Sequence, residues 1–435
     1  MTKILIQHAT LIDPAAGTQV QGDLAIADGK IVAAGAAPAG FAPDTTIKAT
    51  GCIAMPGLVD LRARPGMPVF HGSGALEGEL EVAARYGITS LVCPPDTNPN
   101  SPLDDAGTVD MLRHGAEQHN GTRLYPLGAL TRRLDGKELA NLHTLERAGC
   151  VAFSQGDRAL MDKRMLLRAM QYAATGGQTL WLRPLDAELG QGVAASSALA
   201  LRMGLEGVPE AAETIALHII FELMKTTGAR VHLCRLSSAA GVALVRQARK
   251  DGLAVTCDVS INSLHLTETD IGYFDSRARL NPPLRQQRDR DALRAGLLDG
   301  TIDALVSDHT PVDEDAKTLP FAEAEPGATG LELLLSLALK WAQDDGAPLM
   351  RALAVLTSQP AQVLGRSLGT LQASLGRLAV GGVADVCVFD PKAEWVVQPE
   401  FLRSQGRHTP FSGYALPGRV RCTLVGGHIA HELAA

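Results

Sequence analysis

The chain has 435 residues, 46% hydrophobic and 20% charged, which excludes a disordered tail protein or a fibrous repeat and allows two or three domains or one large α/β barrel with an appendage. A net charge of −7 and only 4% aromatic residues exclude the basic excess and stacking platforms of a nucleic-acid binder. The seven cysteines, odd in number and never closer than 23 residues, exclude the paired spacings of zinc knuckles and redox motifs and read as buried free thiols.

The N-terminal stretch MTKILIQHATLIDP reaches Asp13 and Pro14 before any hydrophobic region of signal-peptide length, and no apolar run reaches ~18 residues. A cytoplasmic chain with no membrane partner is expected. The first ~55 residues alternate apolar and polar in short stretches (KILIQHATLI, GDLAIADG, KIVAAG) bounded by Gly, Pro and Asp. The C-terminal stretches GRLAVGGVADVCVFD, EWVV and RVRCTLVGGHIAHE read the same way, with hairpin turns near Gly381 and Gly426. Residues 1–55 and 366–435 are therefore expected to form one small composite β domain, a β-sandwich built from both ends.

Residues 56–365 change to short continuous apolar runs separated by helical segments, the pattern of parallel strands buried on both faces. Eight runs occur in order: GLVDLRA, ITSLVC, RLYPLGAL, CVAFS, TLWLRP, ARVHLCRL, AVTCDVS and IDALVSD. Helices are expected over Asp104–His119, Asp162–Ala174, Pro209–Thr226 and Ser238–Lys250. The fold class is α/β, a (β/α)8 TIM-like barrel, whose chemistry belongs at the C-terminal ends of the strands.

Those ends are unusual. Asp60, Arg62 and Arg64 share parity on strand one; strand four runs into Ser154 and Gln155; strands five, six and eight end at Arg183, Arg235 and Asp308. The mouth should carry four guanidinium groups. Nucleophile elbows, phosphate-binding glycine loops and paired catalytic carboxylates are not evident.

The segments MPGLVDL (Met55–Leu61), CPPDTNP (Cys93–Pro99), GARVHLCRLSSA (Gly228–Ala239), NPPLR (Asn281–Arg285), DGTIDALVSDHTP (Asp299–Pro311) and FAEAEPGATGLE (Phe321–Glu332) together resemble dihydroorotases of the amidohydrolase superfamily, in order and across nearly the whole chain. The family's metal motif begins Val-Asp-Leu-His-x-His, where this chain has Val59, Asp60, Leu61, Arg62, Ala63, Arg64. A short deletion follows, so Arg64 can alternatively be the family's substrate arginine; neither alignment leaves a histidine on strand one. The resemblance further implies that Arg183 and Arg235 replace the histidine ligands of strands five and six, that Gln155 replaces the acidic or carbamylated ligand of strand four, and that Asp308 alone is kept.

Arginine has five donors, no usable lone pair and a permanent charge, so it cannot bind zinc. One Asp with one Gln falls short of the three or four ligands a catalytic zinc needs, and without a metal the activation of water for ring hydrolysis is lost. No cofactor is expected. Two guanidinium charges ~7 Å apart repel by roughly 2 kcal/mol at an effective dielectric of ~20, so the cluster needs compensation. Asp308, Asp60 and Asp96 are the candidates for an internal ion-pair network, and a bound anion such as phosphate or a carboxylate metabolite is the alternative.

By the same resemblance, His309 and Asn281 match substrate contacts, while Asp96 stands where the family carries an asparagine that contacts the substrate carboxylate. These three form a vestigial substrate site. A relocated metal site from His232, His265 and Asp258 is disfavoured, because His232 has opposite parity to Arg235 and should point away from the lumen. The chain looks like the non-catalytic dihydroorotase-like chains that accompany aspartate carbamoyltransferase in some bacteria. That likeness implies a mixed oligomer, up to a dodecamer, whose catalytic subunit performs carbamoyl transfer in pyrimidine biosynthesis. The competing readings are a working cyclic-amide hydrolase with a rebuilt site and an anion-binding regulatory module.

Overall fold

A computed structural model describes residues 2–66, 75–98, 100–118, 121–159 and 162–433. The middle of the chain forms the expected barrel. Its eight strands are Leu58–Asp60, Ile88–Cys93, Arg123–Ala129, Ala152–Ser154, Thr179–Leu182, Arg230–Leu233, Val255–Ser260 and Ala304–Val306, each parallel to its neighbour in sequence order. Strands one and eight close the ring just past their ends through a parallel bridge between Ala63 and His309.

The apolar runs become strands because they serve two cores. Leu58, Leu91, Phe153, Leu180, Leu233 and Val259 face the surrounding helices, while Val59, Val92, Ala152, Trp181, Cys234 and Val306 pack together as the inner fill. The helices start where capping residues allow. Asp105, Asp162 and Ser238 each accept a backbone N–H in the first turns of helices Ala106–Glu117, Lys163–Gly176 and Ala239–Lys250. The helix expected over Pro209–Thr226 runs from Ala211 to Thr227, and His119, the expected end of another, lies outside the described residues.

The two chain ends share a separate eight-stranded sheet. Strands Lys3–Asp13, Thr18–Ala27, Lys30–Gly35, Thr45–Lys48 and Ile53–Pro56 come from the N-terminal part, and Val386–Val396, Ala415–Val425 and His428–Glu432 from the C-terminal part. Val386–Phe389 run antiparallel to Ile53–Pro56, which joins the two contributions. All seven cysteines are buried and free. No helix among the described residues is long and apolar enough to cross a membrane.

Candidate functional site: an arginine–aspartate cluster at the barrel mouth

The structure brings Arg62, Arg64, Arg183, Arg235 and Asp308 together at the C-terminal ends of the strands, around a carboxylate that the sequence reading missed. Asp157 lies just past strand four. It accepts from Arg62 Nη2 at 2.8 Å, from Arg64 Nη2 at 2.8 Å and from Arg235 Nη2. Asp308 takes Arg62 Nε and Arg235 Nη1, both at 3.2 Å. Asp96 takes Arg64 Nη2 and the Asp157 backbone N–H, both at 2.8 Å. Gly156 makes this approach possible: its φ is +64° and a Cβ there would fall 2.4 Å from Asp96 Cγ.

The charges explain the protonation states. Burial alone would raise the pKa of Asp157, but Arg235, Arg62, Arg64 and Arg183 hold it well below the ordinary carboxylate range. Burial likewise opposes the charge on Arg64 and Arg235, and their aspartate partners more than offset it. Arg183 is the exception. Its Nη1 reaches the Asp157 carbonyl at 3.4 Å and its Nη2 donates to Asn281 Oδ1, but no carboxylate pairs with it among the described residues. Burial first, and then repulsion from Arg235, pull its pKa down to about 10. Four guanidinium groups against three carboxylates leave the cluster with one excess positive charge.

One expectation needs correction, and three other site residues take structural partners. Asp60 is not part of the ion-pair network: its carboxylate accepts from the Ser307 backbone N–H at 3.1 Å, the Ser307 hydroxyl and the Arg62 backbone N–H at 3.2 Å, stitching strand one to strand eight. Gln155 stays out of the cluster as well, its Nε2 donating to Thr131 Oγ1 at 2.9 Å. Asn281 clamps arginines, with its carbonyl on Arg235 Nη1 at 2.8 Å and its side-chain oxygen on Arg183. His309 is fully buried and bonds elsewhere: its Nδ1 accepts from the Gly330 N–H at 3.2 Å and its Nε2 faces Glu79 Oε2 at 3.2 Å.

The parity argument about His232 fails for a local reason. Arg235 has φ +57° and Asp308 φ +50°, left-handed backbone that breaks strand alternation and turns both side chains into the mouth. His232 sits inside the barrel with Trp181, their ring centroids 4.4 Å apart. Its Nε2 meets Asp258 Oδ2 at 2.9 Å and its Nδ1 meets Thr256 Oγ1 at 2.8 Å, while Asp258 Oδ1 accepts from the Arg235 N–H. His265 is elsewhere, bonded to the Leu337 carbonyl at 2.9 Å, its pKa pulled to about 3 by burial.

No residue set among the described residues suits a catalytic zinc. At the mouth, every strand-end position that would supply an imidazole supplies a guanidinium, which repels a cation and offers it no lone pair. Below it, His232, Cys234 and Asp258 bring ligand atoms within 4.8 Å of one another. The ring nitrogens and carboxylate are committed to partners, and burial drives the Cys234 thiol pKa up, keeping it protonated. Space is short among the described residues too. The loop Pro326–Gly327–Ala328 roofs the cluster, Thr310 N–H donating to the Ala328 carbonyl at 2.9 Å, and the cavity lined by Arg64, Asp157, Arg235 and Asp308 is about 30 Å3. That holds about one water molecule, far below the roughly 300–1,000 Å3 of a small-molecule site.

Comparison with known proteins follows the same lines. Residues 200–430 match the amidohydrolase family and residues 51–240 match the dihydro-orotase-like family. A dihydroorotase-like protein of Pseudomonas aeruginosa is 43% identical over 430 residues, covering 99% of both chains. A dihydroorotase of Syntrophotalea carbinolica is 34% identical over 433 residues, covering 99% of this chain and 100% of that relative. Among solved structures, the L-hydantoinase of Arthrobacter aurescens superposes with a TM-score of 0.85 over 99% of this chain and 96% of that one, at 24% identity, a likeness of fold.

Proposed function

Because the chain belongs to the dihydroorotase-like family of amidohydrolases, we propose that it keeps the family scaffold without ring-hydrolase activity and serves as a structural subunit of a cytoplasmic assembly in pyrimidine biosynthesis. One observation carries this reading: four arginines and three aspartates fill the mouth and leave about 30 Å3 where substrate and metal would have to sit. A buried ion network replaces the positive charge of a metal centre and keeps the strand ends packed. The partner inferred is the catalytic subunit of aspartate carbamoyltransferase, supported by the resemblance of this chain to non-catalytic companions of that enzyme.

The test has two readouts. Supplied with zinc, the purified chain should neither hydrolyse dihydroorotate nor close N-carbamoyl-aspartate. Mixed with the carbamoyltransferase from the same cell, it should elute as one larger species on size exclusion with light scattering. Zinc-dependent turnover would overturn the non-catalytic reading, and separate elution would overturn the partner. The excess charge at Arg183, which also lines a separate cavity of about 190 Å3 with Lys163, favours a second reading, a resident anion. Inorganic phosphate would then raise the melting temperature of the native chain but not of Arg183→Gln.

A further inference from the structure

A second cavity, of about 520 Å3, opens far from the chemistry discussed so far. It lies at the seam where the barrel helices Ala75–Arg85 and Leu334–Asp345 meet the C-terminal strands Val386–Val396 and Ala415–Val425. Its size falls within the roughly 300–1,000 Å3 of small-molecule sites, which favour domain seams.

Its lining combines three kinds of group. Tyr86 and Trp395 form an aromatic wall, their ring centroids 6.4 Å apart, and the Trp395 ring is fixed by its Nε1 donating to Ser336 Oγ at 3.1 Å. Phe401 stands at the rim with 65% of its surface exposed. Arg85, Arg403 and Arg419 also line the cavity, and none of them enters an ion pair among the described residues. The third element is Glu332, buried at 2% exposure. Its Oε1 accepts from the backbone N–H groups of Arg403 and Ser404 at 2.7 and 3.0 Å, whereas Oε2 has only the Tyr86 hydroxyl beside it.

Unpaired guanidinium groups attract a phosphate, and aromatic faces attract a flat ring. We propose that this seam binds a nucleotide, the base lying against Trp395 and Phe401 and the phosphate held by Arg403 and Arg419. The site is separate from the mouth, so it stands whether or not the barrel is catalytic.

The tryptophans give a direct readout. Trp181 and Trp341 are at most 1% exposed, so quenching by an added ligand reports on Trp395. The full chain is titrated with UMP, CMP, AMP, GMP, the four corresponding nucleosides and inorganic phosphate, following fluorescence and melting temperature. At least one nucleotide is expected to quench the emission and raise the melting temperature, with its nucleoside and inorganic phosphate each binding at least about tenfold more weakly. The variant carrying both Arg403→Ala and Arg419→Ala, two exposed positions, is expected to keep its circular dichroism and lose about tenfold or more in affinity. No response to any nucleotide at millimolar concentration, equal binding of inorganic phosphate, or unchanged affinity in the double variant would each overturn the proposal.

Discussion

The Asp157→Asn variant is expected to lose about 3–5 kcal/mol of stability, the cost of breaking a buried ion network from one side. Asp157 is bonded to Arg62, Arg64 and Arg235, so neutralising it leaves four guanidinium charges facing two carboxylates. For a barrel of about 310 residues this corresponds to a drop of roughly 5–8 °C in melting temperature. The sign of the pH effect follows from the depressed pKa: the contribution of Asp157 is present above the unfolded carboxylate pKa of about 3.9 and is lost as pH falls through the lower folded value. Arg183→Met is the control. Arg183 has no carboxylate partner and is repelled by Arg235, so removing it should cost far less than removing Asp157 or should stabilise the chain. Equal losses in both variants would mean that packing, and not charge balance, holds the mouth together.

Asp60 titrates in the opposite sense. Burial is the largest influence and pushes its pKa up to about 6, despite hydrogen bonds from Ser307 and from the Arg62 backbone. The native state therefore favours the protonated acid more than the unfolded chain does. Its stabilisation is complete below about pH 4 and is lost as pH rises through about 6, a change of about 3 kcal/mol for two pKa units. In Asp60→Asn the titration is gone, so the variant should gain about 3 kcal/mol relative to the native chain between pH 4 and pH 7. Melting curves of the two proteins across that range test this; a constant gap would show that Asp60 is charged throughout.

These two aspartates also show what the sequence makes legible. The barrel strands could be read because burial on both faces writes itself as uninterrupted apolar runs such as ITSLVC and AVTCDVS, and the arginines because each sits at the end of such a run. Asp157 could not be read that way. It follows the strand by a loop, and its side chain reaches the cluster only because Gly156 takes a positive φ that lets Asp96 approach. The one available signal was charge balance: four clustered guanidinium groups demand nearby carboxylates, and Ser-Gln-Gly-Asp at the end of strand four offers one. Parity misled in the same region. It holds along a strand, but Arg235 and Asp308 have left the strand conformation, so the alternation that assigned His232 to the outside no longer applied. Asp60 shares the parity of Arg62 in the sequence, yet it turns to Ser307 because closing the barrel there requires acceptors for the strand-eight N–H and hydroxyl.

The central claim is that the mouth cannot hold a catalytic metal. Zinc content is measured by mass spectrometry after the native chain is saturated with zinc and desalted, with Asp308→Ala alongside. The account predicts far less than one zinc per chain and no difference between the two proteins. One or more zinc ions retained by the native chain and lost with Asp308→Ala would contradict it.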